Sequence, residues 1–207
     1  KMIRDPKDLK RYEPKERANH WVVGISFILL ALSGLAFFHP AFFPLTQLFG
    51  GPTWARIIHP YLGVLMALSF LGLYFRFKHL NKITAADKEW LAKAQNMVNG
   101  NDHDMPEQGK YNGGQKVMFW VMAICMLLMT VSGLLIWRAW FGFDITLVRM
   151  GAVVHAAAGA VMIGMIFVHV YAAIWVKGTI RAMWYGTVTR GWAKQHHRGW
   201  YRQITGK

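Results

Sequence analysis

Acidic residues are scarce in this chain. Ten Asp and Glu stand against 24 Lys and Arg, a formal charge of +14 over 207 residues. Cysteine is nearly absent too, with Cys125 alone, so no disulfide can form within the chain and a disulfide-built secreted fold is excluded. The most informative absence is charge of either sign from four long stretches, 21–38, 57–75, 117–137 and 151–176, none of which holds Asp, Glu, Lys or Arg. At 54% hydrophobic residues the chain is not disordered. A basic surplus in a soluble domain points to nucleic acid, but ten Trp and thirteen Phe concentrated in uncharged runs do not fit that class, and nucleic acid is set aside as a partner.

The four stretches are 18, 19, 21 and 26 residues long. A helix needs roughly 20 apolar residues to cross a bilayer core of about 30 Å, so each can span. Buried helices of a soluble bundle would carry a polar stripe, and these are apolar all round. The sequence therefore predicts an all-α, integral membrane four-helix bundle, one domain over 1–207, with transmembrane helices at about 20–38, 54–77, 115–137 and 151–176. Between the second and third lies a loop at 78–114, and after the fourth a tail at 177–207. No signal peptide is expected, because the first apolar run begins late and no small-residue cleavage pattern follows it.

Cations give the orientation. Segments 1–20, 76–116 and 177–207 hold seven Lys and Arg each, whereas 39–56 holds only Arg56 and 138–150 only Arg138 and Arg149. By the positive-inside rule both termini and the 78–114 loop are cytoplasmic, with the two short loops outside. Trp21, Trp54, Trp120, Trp137, Trp140 and Trp175 fall near helix ends, as an aromatic belt requires. A weak internal repeat pairs Leu32-Ser33-Gly34-Leu35 with Val131-Ser132-Gly133-Leu134, and His59 and Gly63 with His155 and Gly159. It reads equally well as a repeated helix pair or as small-residue packing sites.

Polar side chains at membrane depth are costly without a partner, and four histidines sit in or at the ends of the spans: His20, His59, His155 and His169. His155 and His169 are fourteen residues apart on one helix, within about 40° of four full turns, so they share a face with about 21 Å between them. The orientation puts His59 at the outer depth of His155, and His20 at the inner depth of His169. Two histidine pairs at two depths, with no thiolate or carboxylate beside them, are what two six-coordinate b-type haems require. A zinc site would need more ligands at each depth, and a proton relay usually adds carboxylates, which the spans lack. Electron transfer across the membrane is the inferred task.

Gly63 and Gly159 follow His59 and His155 by four, leaving a bare helix face for a flat porphyrin; the same glycines also suit close helix packing. Arg17 and Arg56 each precede a ligand histidine by three, where an arginine pairs with a haem propionate, although Arg17 is read chiefly as a membrane anchor. His39, His79, His103 and the pair His196-His197, in what reads as a solvated basic tail, have no expected cofactor role. Cys125 is read as a small core residue, and a short helix is expected around 85–98. The run from Lys110 to Lys116 ends the cytoplasmic loop with groups able to bond a carbonyl oxygen, as a quinone site needs. It reads also as a polar helix start with a glycine turn, the reading that composition alone favours.

Over essentially its whole length the chain resembles the gamma, or cytochrome b, subunit of bacterial respiratory formate dehydrogenases. Arg17-Ala18-Asn19-His20-Trp21, Arg56-Ile57-Ile58-His59-Pro60, Lys110-Tyr111-Asn112 through Gln115-Lys116 and Ser132-Gly133 through Ile136-Trp137-Arg138 carry the resemblance. So do His155-Ala156-Ala157-Ala158, Trp175-Val176-Lys177-Gly178, Trp192-Ala193-Lys194, His196-His197 and Trp200-Tyr201-Arg202. It implies two haems b, the outer held by His59 and His155 and the inner by His20 and His169. It further implies an iron–sulfur beta subunit that feeds the outer haem from a molybdenum or tungsten alpha subunit, which oxidises formate outside the cell. The resemblance also implies that menaquinone or ubiquinone is reduced near the cytoplasm at a pocket matching Asn112, Gly114, Gln115 and His169. The position of Gly113 varies in that family and is given no role. The alternatives are the cytochrome b subunit of a nickel–iron hydrogenase or thiosulfate reductase and, in a different class, a haem-free transporter.

Overall fold

A computed structural model describes residues 5–207; Lys1 and Arg4, two of the cations counted above, lie outside the described residues. Four helices are long and apolar enough to cross a membrane: α1 (Pro14–Phe38), α2 (Pro52–Phe77), α5 (Gly113–Ile136) and α6 (Ile145–Trp175). Shorter helices are α3 (Ala85–Ala92), α4 (Ala94–Val98), α7 (Ile180–Tyr185), α8 (Arg190–His196) and α9 (Arg198–Thr205). Two short strands, β1 (Leu9–Lys10) and β2 (Thr187–Val188), pair antiparallel.

Local chemistry fixes the helix ends. Pro14 and Pro52 open α1 and α2 at the position where a missing N–H costs nothing. A 3-10 segment, Pro40–Phe49, occupies the stretch expected to be loop. His39 caps its start, its Nδ1 accepting from the Ala41 N–H at 3.1 Å. Gly50 closes it at φ 86°, in the left-handed region that suits glycine. Asp144 accepts from the Thr146 N–H at 3.0 Å at the start of α6, so this helix begins six residues before the uncharged stretch, at Ile145 rather than 151. The sequence-based boundary stopped at Arg149, yet one arginine in the first turns of a long helix does not end it. The single helix expected around 85–98 is two, parted at Lys93.

Residues 18–74 and 122–168 form one compact unit, the helical unit. Its helices are exposed along most of their length: at most 22% of the most apolar window of any span is buried, and Leu68, Leu127, Val153 and Phe167 are among the exposed side chains. A water-soluble protein does not leave apolar surface of that extent uncovered; lipid is its natural solvent. Met66, Met122, Met126, Met162 and Cys125 are buried, the cysteine as the small core residue expected.

The described part of 1–17, with 75–121 and 169–207, forms the second unit, and so gathers the three cation-rich segments. Here the tail departs from expectation. It is not a solvated basic tail but a folded module closed against the N-terminal segment and the loop. β1 meets β2, Asp8 accepts from Arg181 at 2.5 Å, and Arg202 pairs with Glu107. Arg11 is buried, donates to the Lys110 carbonyl, and lies over the rings of Trp192 and Trp200 at 5.0 and 4.9 Å. Aromatic faces compensate a cation away from water.

Candidate functional site

His59 on α2 and His155 on α6 come together within the helical unit. Their ring centres are 6.2 Å apart and their planes cross at 71°. Both side chains are half-buried. Each ring is held at Nδ1 by a serine of a neighbouring helix: Ser33 Oγ of α1 lies 2.6 Å from His59 Nδ1, and Ser132 Oγ of α5 lies 2.9 Å from His155 Nδ1. The residue after each serine is glycine. A Cβ built at Gly34 would stand 3.4 Å from His59 Cε1, and one at Gly133 would stand 3.4 Å from His155 Cε1. The weak repeat read from the sequence is thus a physical one, in which two helix pairs present one histidine each in the same way.

This arrangement fits a metal centred between the rings. An ion bonded to one nitrogen of each imidazole at about 2 Å holds the ring centres about 6 Å apart, the separation observed. With Nδ1 of both rings engaged by serine, Nε2 is the nitrogen each has to offer. A planar cofactor also needs open space beside the ligands. At Gly63, one turn beyond His59, a Cβ would meet nothing within 4 Å, whereas at Gly159 it would meet the Met129 methyl at 3.5 Å. The open face expected at both glycines is present at Gly63, and at Gly159 a flexible methionine side chain lies over it. Arg56 is exposed, with its guanidinium 5.9 Å from the Phe37 ring centre.

His20 also lies in the helical unit, on α1, with its ring 5.4 Å from that of Trp21. Gly24, one turn further on, has nothing within 4 Å of a Cβ, so the spacing of four from histidine to glycine occurs a third time, and the open face a second time. His169 belongs to the second unit, as does Arg17, which donates from a guanidinium nitrogen to the Trp184 carbonyl at 2.9 Å.

The 110–116 run is the start of α5. Asn112 and Gln115 form a reciprocal cap: Asn112 Oδ1 accepts from the Gln115 N–H at 2.8 Å, and Gln115 Oε1 accepts from the Asn112 N–H at 2.9 Å. Capping of this kind satisfies helix donors that have no partner within the helix. It consumes the side-chain oxygens and leaves the two NH2 groups as donors. The glycines have a packing reason as well. A Cβ at Gly113 would lie 2.8 Å from the Asp87 carbonyl oxygen, and one at Gly114 would lie 3.1 Å from the Trp90 ring. Beneath them Lys116 donates to Asp87 at 2.8 Å, a buried ion pair. Burial raises the Asp87 carboxyl, but the Lys116 ammonium and the Thr84 donors outweigh it and hold the group below its ordinary value. Tyr111 accepts from the Tyr12 hydroxyl at 2.9 Å, and burial, then Tyr12, pushes its own hydroxyl well above the usual range.

Sequence reasoning did not assign Ser33 and Ser132 to the site, although the repeated Ser-Gly was in view. The signal was its recurrence in the span preceding the one that carries His59 or His155.

Residues 11–186 match the family described as prokaryotic cytochrome b561. The cytochrome b556(fdo) subunit of formate dehydrogenase from Escherichia coli strain K12 is 44% identical over 196 residues, covering 94% of this chain and 92% of that protein. The cytochrome b556(Fdn) subunit of the nitrate-inducible formate dehydrogenase of the same strain is 44% identical over 191 residues, covering 91% and 88%. The cytochrome b556 subunit of formate dehydrogenase from Haemophilus influenzae is 38% identical over 195 residues, covering 93% and 82%.

Proposed function

The chain belongs to the prokaryotic cytochrome b561 family, and on that premise we propose that it is the dihaem membrane subunit through which a respiratory formate dehydrogenase delivers electrons to a quinone. Family membership implies haem b, and the four apolar helices make the chain an integral membrane protein. The observation that carries the proposal is the His59–His155 pair, set 6.2 Å apart with Nδ1 of each ring already engaged. A haem b with two histidine ligands is a one-electron carrier with no open position for oxygen chemistry.

His59 and His155 would hold the outer haem, with Gly63 and Gly159 beside them and Arg56, three residues before His59, as the cation that would pair with a propionate. His20 and His169 hold the inner one, with Arg17 on the same side. The whole chain is a single membrane cytochrome domain of the bacterial inner membrane. Both termini, the 78–114 loop and the tail are cytoplasmic, as the segregation of cations supports. Asn112, Gly114 and Gln115 with His169 bind the quinone near the cytoplasm. The capping geometry supports that role, because it leaves the amide NH2 groups of Asn112 and Gln115 to donate to quinone carbonyls.

The partners are an iron–sulfur beta subunit on the outer side and, through it, a molybdenum or tungsten alpha subunit that oxidises formate. In this reading the chain carries electrons, and formate is oxidised by the alpha subunit. All the named relatives are formate dehydrogenase subunits, which supports this partner over a hydrogenase or thiosulfate reductase. Pyridine haemochrome analysis of the purified complex, with mass spectrometry of the chains that accompany it, tests the proposal. Two haems b per chain and a formate-oxidising molybdo- or tungstoprotein are expected. Colourless protein refutes the cytochrome reading, a single haem refutes the second histidine pair, and an accompanying hydrogenase refutes the partner.

A further inference from the structure

We propose that Ser33 and Ser132 are positioning residues that fix the tautomer of His59 and His155 and lower the reduction potential of the iron the two histidines share. This inference rests on the reading of His59 and His155 as axial ligands. Both serines are buried, Ser33 completely and Ser132 to within 2%, in stretches of helix that hold no Asp, Glu, Lys or Arg. A serine hydroxyl has one proton to give and two lone pairs to receive. Ser33 Oγ lies 2.9 Å from the Leu29 carbonyl and 3.2 Å from that of Leu30, and Ser132 Oγ lies 3.3 Å from the Met129 carbonyl. Those carbonyls only accept, so the hydroxyl proton goes to the helix backbone, a common arrangement for serine inside a helix. The remaining contact of each serine, to the histidine Nδ1, is then one in which Oγ accepts and Nδ1–H donates.

The reverse assignment would move the proton to Nε2 and block the one ring nitrogen left to bind an iron. The two relays are therefore the same device used twice: backbone carbonyl, serine hydroxyl, Nδ1–H, with Nε2 left bare. The adjoining glycines belong to it. At Gly34 and Gly133 a Cβ would come 3.4 Å from the ring Cε1, at the near edge of van der Waals contact, so each ring lies directly against the serine's helix with no side chain between them. Partners of this kind orient a ligating imidazole and raise its basicity. A more basic imidazole favours the ferric over the ferrous ion, which lowers the potential. The bond at His59, 2.6 Å against 2.9 Å at His155, makes Ser33 the stronger of the two.

The test uses the intact purified complex carrying Ser33→Ala, Ser132→Ala, and the hydroxyl-retaining Ser33→Thr and Ser132→Thr. Haem content and the midpoint potential of each haem are read by redox titration of the optical spectrum. The alanine variants are expected to raise the potential of one haem, leave the other unchanged, and weaken retention of the shifted haem by ~10-fold. Threonine should restore both properties. Haem loss in an alanine variant that threonine rescues also supports the proposal. Unchanged potentials in both alanine variants, or a threonine variant that behaves like alanine, overturn it. Wild-type protein without haem would overturn the ligand assignment instead, so the two failures are distinct.

Discussion

The imidazoles of His59 and His155 face each other across 6.2 Å with their planes crossed at 71°. Two consequences are measurable. Replacement of His59 by alanine should remove one haem of two and its band from the reduced-minus-oxidised spectrum, while His20→Ala should spare that band, remove the other, and stop quinone reduction. Loss of the same spectral component in both variants would show that the pairing by depth is wrong. Ligand planes crossed in this way would leave two iron d orbitals close in energy, so the oxidised low-spin haem lost in His59→Ala should be one with a strongly anisotropic electron paramagnetic resonance signal.

Gly63 separates two explanations that the sequence leaves open. If glycine were there for helix packing, a side chain would collide with a neighbouring helix, but a Cβ at this position meets nothing within 4 Å. Replacing glycine within a helix by a good helix former gains up to about 1 kcal/mol in propensity. We therefore expect Gly63→Leu to melt at the same temperature as wild type or higher, when both are stripped of haem, and yet to retain one haem fewer. A leucine variant with full haem content would remove Gly63 from the cofactor site.

The spans and the meeting of His59 with His155 were legible in the sequence, the first from runs of about twenty residues without charge and the second from the depth at which each helix places its histidine. The Ser33–His59 and Ser132–His155 contacts were half legible. Their repeat was visible, but which helices adjoin is not a property of any one segment. The folded tail was not legible at all. It depends on β1 meeting β2, with Leu9 opposite Val188, and on Arg11 finding two tryptophans of the tail. Two-residue strands have no period to detect, and an arginine counted as surface charge becomes a core residue only where distant aromatic rings enclose it.

Lys116 and Asp87 anchor the start of α5, where Asn112 and Gln115 sit. Removing one partner of a buried ion pair leaves the other charge uncompensated, at a cost of roughly 3–5 kcal/mol. Lys116→Met should lower the melting temperature more than Asp87→Asn, since the asparagine can still accept from Thr84. Gly113→Ala should also destabilise, by about 1–3 kcal/mol, because its Cβ would lie 2.8 Å from the rigid Asp87 backbone. Gly113 is the position given no role from the sequence, so a neutral alanine variant in thermal unfolding would contradict the packing described here.

His197 tests the tail module by pH. It is 1% exposed, and its Nδ1–H donates to the Gly109 carbonyl at 2.8 Å. Burial, and next the positive charge of Arg11, outweigh that bond and bring the imidazole from 6.5 down to about 3. The folded module therefore holds His197 neutral, while the unfolded chain takes up a proton below about 6.5. Where the unfolded state binds more protons, stability falls with falling pH, so this contribution is complete above pH 6.5 and is lost progressively towards pH 3. Limited proteolysis of the 177–207 segment should accelerate across that window in wild type. In His197→Phe, which keeps a ring but has no group to protonate, cleavage at neutral pH should be faster than wild type because the Gly109 carbonyl loses its donor, and its rise on acidification should be shallower. A variant with the wild-type pH dependence would mean that another group governs the opening of the tail.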